Sequence, residues 1–193
     1  MSRYLLVAAL VVLAGCGGGN YSAPRNLDDA CGIARERPKY IRAMEQAERR
    51  WGVPVHVQMA VIHQESKFVG DARTPHRYVL GIIPMGRQSS AYGYAQAIDG
   101  TWDNYRSQTG NRNARRDDIR DATDFMGWYM NQSREKLGIP LDDARSQYLA
   151  YHEGQTGYAR GTYRGKTWLM AVADRVGGRA QIYRQQLQSC RRR

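Results

Sequence analysis

Glu65 closes the segment Val55–Phe68, VHVQMAVIHQESKF, in a setting that suits proton chemistry. Val57, Val61 and Ile62 recur at helical spacing, with Ala60 as a small neighbour. Glu65 continues that apolar stripe, because it lies four residues after Val61 and three after Ile62. A carboxyl at the inner edge of a buried face loses water, which disfavours its charged form and raises its pKa. A general acid working near neutral pH needs such a shift. The plainer reading is a helix-end glutamate that is solvated or salt-bridged, and the helix alone does not decide between the two.

The surrounding elements are helical. Pro54 suits a first helical position. The preceding segment, Pro38–Trp51, carries Ile41, Met44, Ala47 and Trp51 on one face and stops at Gly52, so the two helices form a hairpin. A short helix is expected over Asp28–Arg37. Residues 69–90 contain Gly70, Pro75, Gly81, Pro84 and Gly86 with little periodicity, and read as a long irregular loop with a possible short strand over Tyr78–Ile83. Asp99 or Thr101 then caps a helix running to Thr109. The longest helix spans Asp117–Leu137, with Gly138 as its stop, and another covers Leu141–Glu153. Gly154–Gly165 reads as a loop, and Lys166–Cys190 as a helix broken or kinked at Gly177-Gly178. The fold class is mainly α.

With 193 residues the chain has the length of a single domain. Its start has another character. Arg3 precedes a short apolar run, Tyr4–Val12, which is too short to span a bilayer as a helix. The run ends in Leu13-Ala14-Gly15-Cys16, which resembles the lipobox of bacterial lipoproteins. That resemblance implies a lipid thioether on Cys16, cleavage before it and, since Gly17 is not Asp, the Gram-negative outer membrane. The expected organisation is a signal peptide over 1–15, a lipidated tether over 16–27 and a domain over 28–193. Of three cysteines, Cys31 and Cys190 remain, and an oxidising compartment favours a disulfide between them. No Cys/His cluster suggests a metal, and no cofactor is expected. The net charge is +11. Basic surfaces attract anions; export argues against nucleic acid, whereas a basic groove would suit the carboxylates of peptidoglycan. The Arg191-Arg192-Arg193 tail is expected to be solvated.

Four stretches in order resemble the lytic transglycosylases with the soluble-transglycosylase, lysozyme-like domain. They are Glu65-Ser66-Lys67-Phe68, Ala91-Tyr92-Gly93-Tyr94-Ala95-Gln96, Ala150-Tyr151-His152-Glu153-Gly154 and, in a terminal helix, Tyr183. The resemblance covers roughly residues 38–187 and implies a lysozyme-like single domain. It also implies cleavage of the N-acetylmuramic acid to N-acetylglucosamine bond of peptidoglycan. Glu65 would protonate the leaving oxygen, the sugar's N-acetyl carbonyl would stabilise the cation, and Glu65 would then take the proton of the muramic C6 hydroxyl. That hydroxyl attacks C1, giving a 1,6-anhydro product without water.

Roles for the other matched residues follow from the resemblance. Ser66 would orient the site, Gly93 would let backbone approach the groove, Gln96 would hydrogen-bond substrate, Tyr151 would line the groove, and Tyr183 would hold Glu65 by a hydrogen bond. Tyr92, Tyr94, Trp102 and Tyr158 could stack on sugar faces, with the core the better place for Trp102. His152 stands where the family has Asn, and the loop over residues 69–90 exceeds the family spacing. Asp71, Asp99 or Glu153 could serve as a second carboxylate; if one held a water, the enzyme would be a hydrolytic muramidase. A non-catalytic peptidoglycan-binding lipoprotein is the third reading. The expected partners are glycan strands and, through Cys16, a membrane, for a monomeric protein.

Overall fold

The computed structural model describes residues 21–79 and 82–190, with only the backbone of Ile83 and Pro84. Cys16, the expected signal peptide and the arginine tail lie outside the described residues. The elements are α1 (Ala30–Glu36), α2 (Pro38–Trp51), α3 (Val55–Ser66), β1 (His76–Val79), β2 (Ile83–Arg87), α4 (Asp99–Thr109), α5 (Ile119–Leu137), α6 (Ala144–Ala159), a 3-10 turn (Thr162–Gly165) and α7 (Thr167–Cys190). The fold is mainly α, as the periodicity predicts.

α3 is the centre of the molecule. It packs against α2, α5, α6 and α7. Val55, Val57, Met59, Ala60, Val61 and Ile62 are all buried, so the helix is apolar around its circumference and not only on one stripe. Its fully buried Gln58 ties the helix to its neighbours: Nε2 donates to the carbonyls of Met44 (2.9 Å) and Val53 (2.8 Å). A second cluster, built on α4 and α5, packs Trp102, Tyr105, Phe125 and Trp128 with ring centroids 5.2–5.8 Å apart. Trp102 is therefore a core residue. Tyr105 donates to Asp124 (2.7 Å), which also accepts from Trp51 Nε1 (2.8 Å), tying α2, α4 and α5 together.

Cys31 and Cys190 are disulfide-bonded with Cα atoms 6.0 Å apart, joining α1 to the end of α7. Gln186 supports the same junction by accepting from the Ala30 amide (2.8 Å) and donating to the Asp28 carbonyl (2.9 Å).

Several elements differ from expectation. Residues 76–87 form an antiparallel hairpin with an irregular register, not an unstructured loop. Pro54 is the N-cap of α3 and not its first residue. α4 begins at Asp99, with Ile98 at the N-cap and no side-chain cap from Asp99 or Thr101. α7 runs unbroken through Gly177-Gly178. A Cβ at Gly177 would meet Arg145 Cβ on α6 at 3.4 Å, an ordinary contact distance, so the position does not demand glycine. The interruption lies at Gly154 instead, where α6 takes φ 75° and ψ 156°.

Candidate active site

Glu65 stands in the last turn of α3, and the chain turns away immediately behind it. Lys67 (φ 53°) and Phe68 (φ 62°) both adopt left-handed backbone without being glycine. Each such residue costs about 1 kcal/mol or more and persists only where its surroundings hold it. Here Phe68 is fully buried and stacks on Tyr40 at 6.0 Å. The turn sends Phe68 into the core and leaves the Glu65 carboxyl at the mouth of a groove.

That groove has a volume of about 610 Å³. Glu65, Thr74, Ser89, Gln96, Tyr129, Tyr151, His152 and Glu153 are among its lining residues. Among the described residues no Lys or Arg is in its lining, so a basic groove, which would suit an acidic polymer, is not what this lining presents. Glu65 is only partly exposed. Burial pushes its carboxyl up to about 7, against the opposing pull of a hydrogen bond from Tyr148 and the charge of Lys67. Near neutrality the group can therefore both give and take a proton.

Two tyrosines of α6 frame the carboxyl. The Tyr148 hydroxyl hydrogen-bonds Glu65, and burial together with the nearby carboxylate raises the phenol's pKa. Tyr151 donates to the Ala95 carbonyl (2.6 Å) and is kept neutral by burial. The other carboxyl in the groove, Glu153, is already occupied. Lys166 Nζ reaches its two oxygens at 2.7 and 3.0 Å, Thr162 donates to it, and His152 Nδ1 lies at 3.1 Å. The Lys166 and Thr162 hydrogen bonds lead in holding Glu153 down to about 2. The two carboxyls thus have opposite characters in one groove.

The structure brings Glu65, Gln96, Tyr151 and His152 together and separates the others. Tyr183 does not reach Glu65: it is buried, donates to the Leu27 carbonyl, and has the Arg179 guanidinium 5.8 Å from its ring. α7 turns this tyrosine toward the chain's first described segment, and Tyr148 of α6 occupies the position beside the glutamate. Tyr94 is also a correction. It is buried, shares a 3.0 Å hydroxyl–hydroxyl hydrogen bond with Tyr40, and presents nothing to the groove. Ser66 is buried and donates back to the Ile62 carbonyl (3.3 Å), capping α3 from within. Gln96 faces the groove, but its Nε2 is committed to the carbonyls of Ala72 and Gly93, both at 2.9 Å. It clasps the loop that forms the groove wall.

Tyr92 lies under Arg73, whose guanidinium is 4.1 Å from its ring centroid, and Tyr158 stacks on Tyr163 at 5.1 Å; neither lines the groove. Asp71 is exposed outside the groove, and Asp99 pairs with Arg116 at 2.8 Å. Tyr148, Thr74 and Lys166 went unanticipated. Tyr148 had one available signal: it lies three residues before Tyr151, so both belong to one face of α6.

Gly93 is needed for a reason internal to the protein. Its φ is +81°, and an added Cβ would lie 2.0 Å from the Arg116 carbonyl oxygen. Gly93→Ala is expected to destabilise the fold by about 1–3 kcal/mol and to disturb the Gln96 clasp. Thermal unfolding checks this, and an unchanged midpoint would contradict it.

The family described as Transglycosylase SLT domain matches residues 4–190. No curated protein matches the chain.

Proposed function

The chain belongs to the transglycosylase SLT domain family, and from that premise we propose that it is a peptidoglycan lytic transglycosylase. It cleaves the β-1,4 bond from N-acetylmuramic acid to N-acetylglucosamine, with Glu65 as acid and then base. The observation that carries this reading is the contrast between Glu65, raised to about 7 by burial, and Glu153, held near 2 by its own cationic and hydroxyl partners. Hydrolysis with two carboxylates needs a free second one to activate water or attack the sugar. Glu153 has its oxygens engaged, and Asp71 and Asp99 lie outside the groove lining.

The steps follow from that contrast. Protonated Glu65 donates to the glycosidic oxygen as the bond to C1 breaks. The substrate's own N-acetyl carbonyl oxygen bonds C1 and carries the developing positive charge. Glu65, now a carboxylate and still held by Tyr148, removes the proton from the muramic C6 hydroxyl. The C6 oxygen bonds C1, the acetamido group is released, and Glu65 is again protonated. The product carries a 1,6-anhydro ring and no added water.

We also propose that the mature chain begins at Cys16, is anchored by a lipid there, and works in the periplasm at the outer membrane. The non-catalytic wall-binding alternative is disfavoured by the position of a partly exposed, proton-holding carboxyl in a groove.

Digestion of sacculi followed by mass spectrometry of the muropeptides tests the reaction. Products one water lighter than reducing-end muropeptides are expected, and reducing ends would mean hydrolysis. The rate of bond cleavage should also fall as pH rises through about 7, because the acid form of Glu65 is then lost. A rate that stays level from pH 6 to pH 9 would exclude Glu65 as the proton donor.

A further inference from the structure

The β1–β2 hairpin stands apart from the core. Each residue of β1 is exposed, and a two-stranded hairpin alone is marginally stable in water. The hairpin nevertheless carries Tyr78, Val79, Ile82 and Met85 at 57, 44, 77 and 62 % exposure. The other large apolar side chains exposed among the described residues, Ile98, Trp168 and Ile182, are scattered singly. Arg77 and Arg87, within the hairpin, are exposed as well. Arg87 also donates to the Thr74 carbonyl (2.7 Å), fixing the foot of the hairpin.

The start of the described chain is fastened beside that foot. The Gly70 amide donates to the Tyr21 carbonyl (3.0 Å), and the Tyr21 hydroxyl donates to Asp117 (3.1 Å). Five Cα–Cα steps separate Tyr21 from Cys16, a reach of at most roughly 18 Å. A lipid on Cys16 would therefore hold the foot of the hairpin close to the bilayer surface. Among the described residues no helix is long and apolar enough to cross a membrane.

We propose that the β1–β2 hairpin is a second membrane contact, with the exposed side chains of Val79, Ile82 and Met85 entering the interfacial layer of an anionic phospholipid bilayer and Arg77 and Arg87 at the headgroups. The inference rests on the proposed lipid anchor at Cys16. Aliphatic side chains match acyl chains and not a hydroxyl-rich glycan, and the arginines complement phosphate. Two contacts also fix orientation: Thr74 and Ser89, at the two ends of the hairpin, line the groove.

The test uses the full chain, processed and purified from membranes, with Ile82→Cys carrying an environment-sensitive fluorophore. With Cys31 and Cys190 bonded to each other and Cys16 acylated, position 82 supplies the one free thiol. Arg49→Cys is the control, near the far end of α2, whose 14 residues span roughly 20 Å. On vesicles of phosphatidylcholine and phosphatidylglycerol, emission at position 82 is expected to shift blue, rise severalfold and be quenched by doxyl-labelled lipid. Emission at position 49 should stay water-like. Mass spectrometry of the amino-terminal peptide reports acylation separately. An acylated, vesicle-bound protein with water-like emission at position 82 overturns the hairpin contact and leaves the anchor standing. Absence of the acyl group overturns both. A response to glycan strands and not to vesicles would make the hairpin a substrate element and overturn the proposal.

Discussion

Glu65→Gln is expected to lower cleavage of peptidoglycan by roughly 10²–10⁴-fold and, at the same time, to make the protein more stable in alkaline buffer. The amide keeps the shape of the carboxyl and can still accept from Tyr148, but it can neither give nor take the proton. The stability effect has the opposite sign from the activity effect for one physical reason. Burial holds the native carboxyl at about 7, against an ordinary value of 4.5. The native state therefore binds the proton more tightly than the unfolded chain across that window. Stability present below the lower value is lost as pH rises through the higher one, in an amount of about 3 kcal/mol. Removing the ionisable group removes that loss. Muropeptide analysis of digested sacculi reads the first effect, and urea midpoints at pH 4 and pH 8 read the second. A variant that still cleaves at the parental rate would move the acid elsewhere, with Glu153 the other carboxyl in the groove. Parallel pH–stability curves for the two proteins would mean that Glu65 titrates as an ordinary surface group.

Reduction of the Cys31–Cys190 bond, or its replacement by Cys31→Ser with Cys190→Ser, should produce the largest loss of stability. The bond spans 159 residues, and closing a loop of that length constrains the unfolded chain by about 5 kcal/mol in the chain-entropy treatment, with about 2–5 kcal/mol usual in practice. For a protein of this size, that corresponds to a fall in Tm of roughly 5–15 °C. The loss should be local at first. α1 has seven residues and no side-chain cap, so little besides α7, α2 and the bond holds it. Thermal unfolding with and without a reductant measures the effect, and equal midpoints would show that packing between α1 and α7 suffices without the bond. Exchange of the α1 amides should rise before that of α3.

The parts of this molecule legible in the sequence are those governed by local rules. α3 and its terminal glutamate follow from the spacing of Val57, Val61 and Ile62, and α2 and α5 from equally plain periodicity. Cysteine pairing follows from arithmetic. What local rules could not assign is which way a side chain faces once helices pack. Tyr183 and Tyr148 both sit on amphipathic helices; only the packing of α6 and α7 about α3 decides that Tyr148 meets the carboxyl and Tyr183 meets Leu27. Tyr94 and Tyr92 flank one glycine, yet Tyr94 enters the core against Tyr40 and Tyr92 lies under Arg73. Glycine misleads in the same way. Gly177 has the propensity of a helix breaker, but α7 continues through it, packed beside Arg145 of α6. The hairpin of residues 76–87 was obscured because its glycine and proline content resembles that of an irregular loop.

The bond between the first and last helices also sets a problem of partner choice during maturation. The chain has three cysteines, so three pairings are open to it. A newly made chain displays Cys31 long before Cys190, while Cys16 lies only fifteen residues away. Small loops close at lower entropic cost than large ones, so a free thiol at Cys16 would be the kinetically favoured wrong partner. In the proposed mature form that thiol is spent on the lipid thioether. Acylation would then do more than fix the protein to a surface: by capping the competitor, it leaves Cys31 a single oxidation outcome and makes correct pairing depend on the order in which the chain is processed.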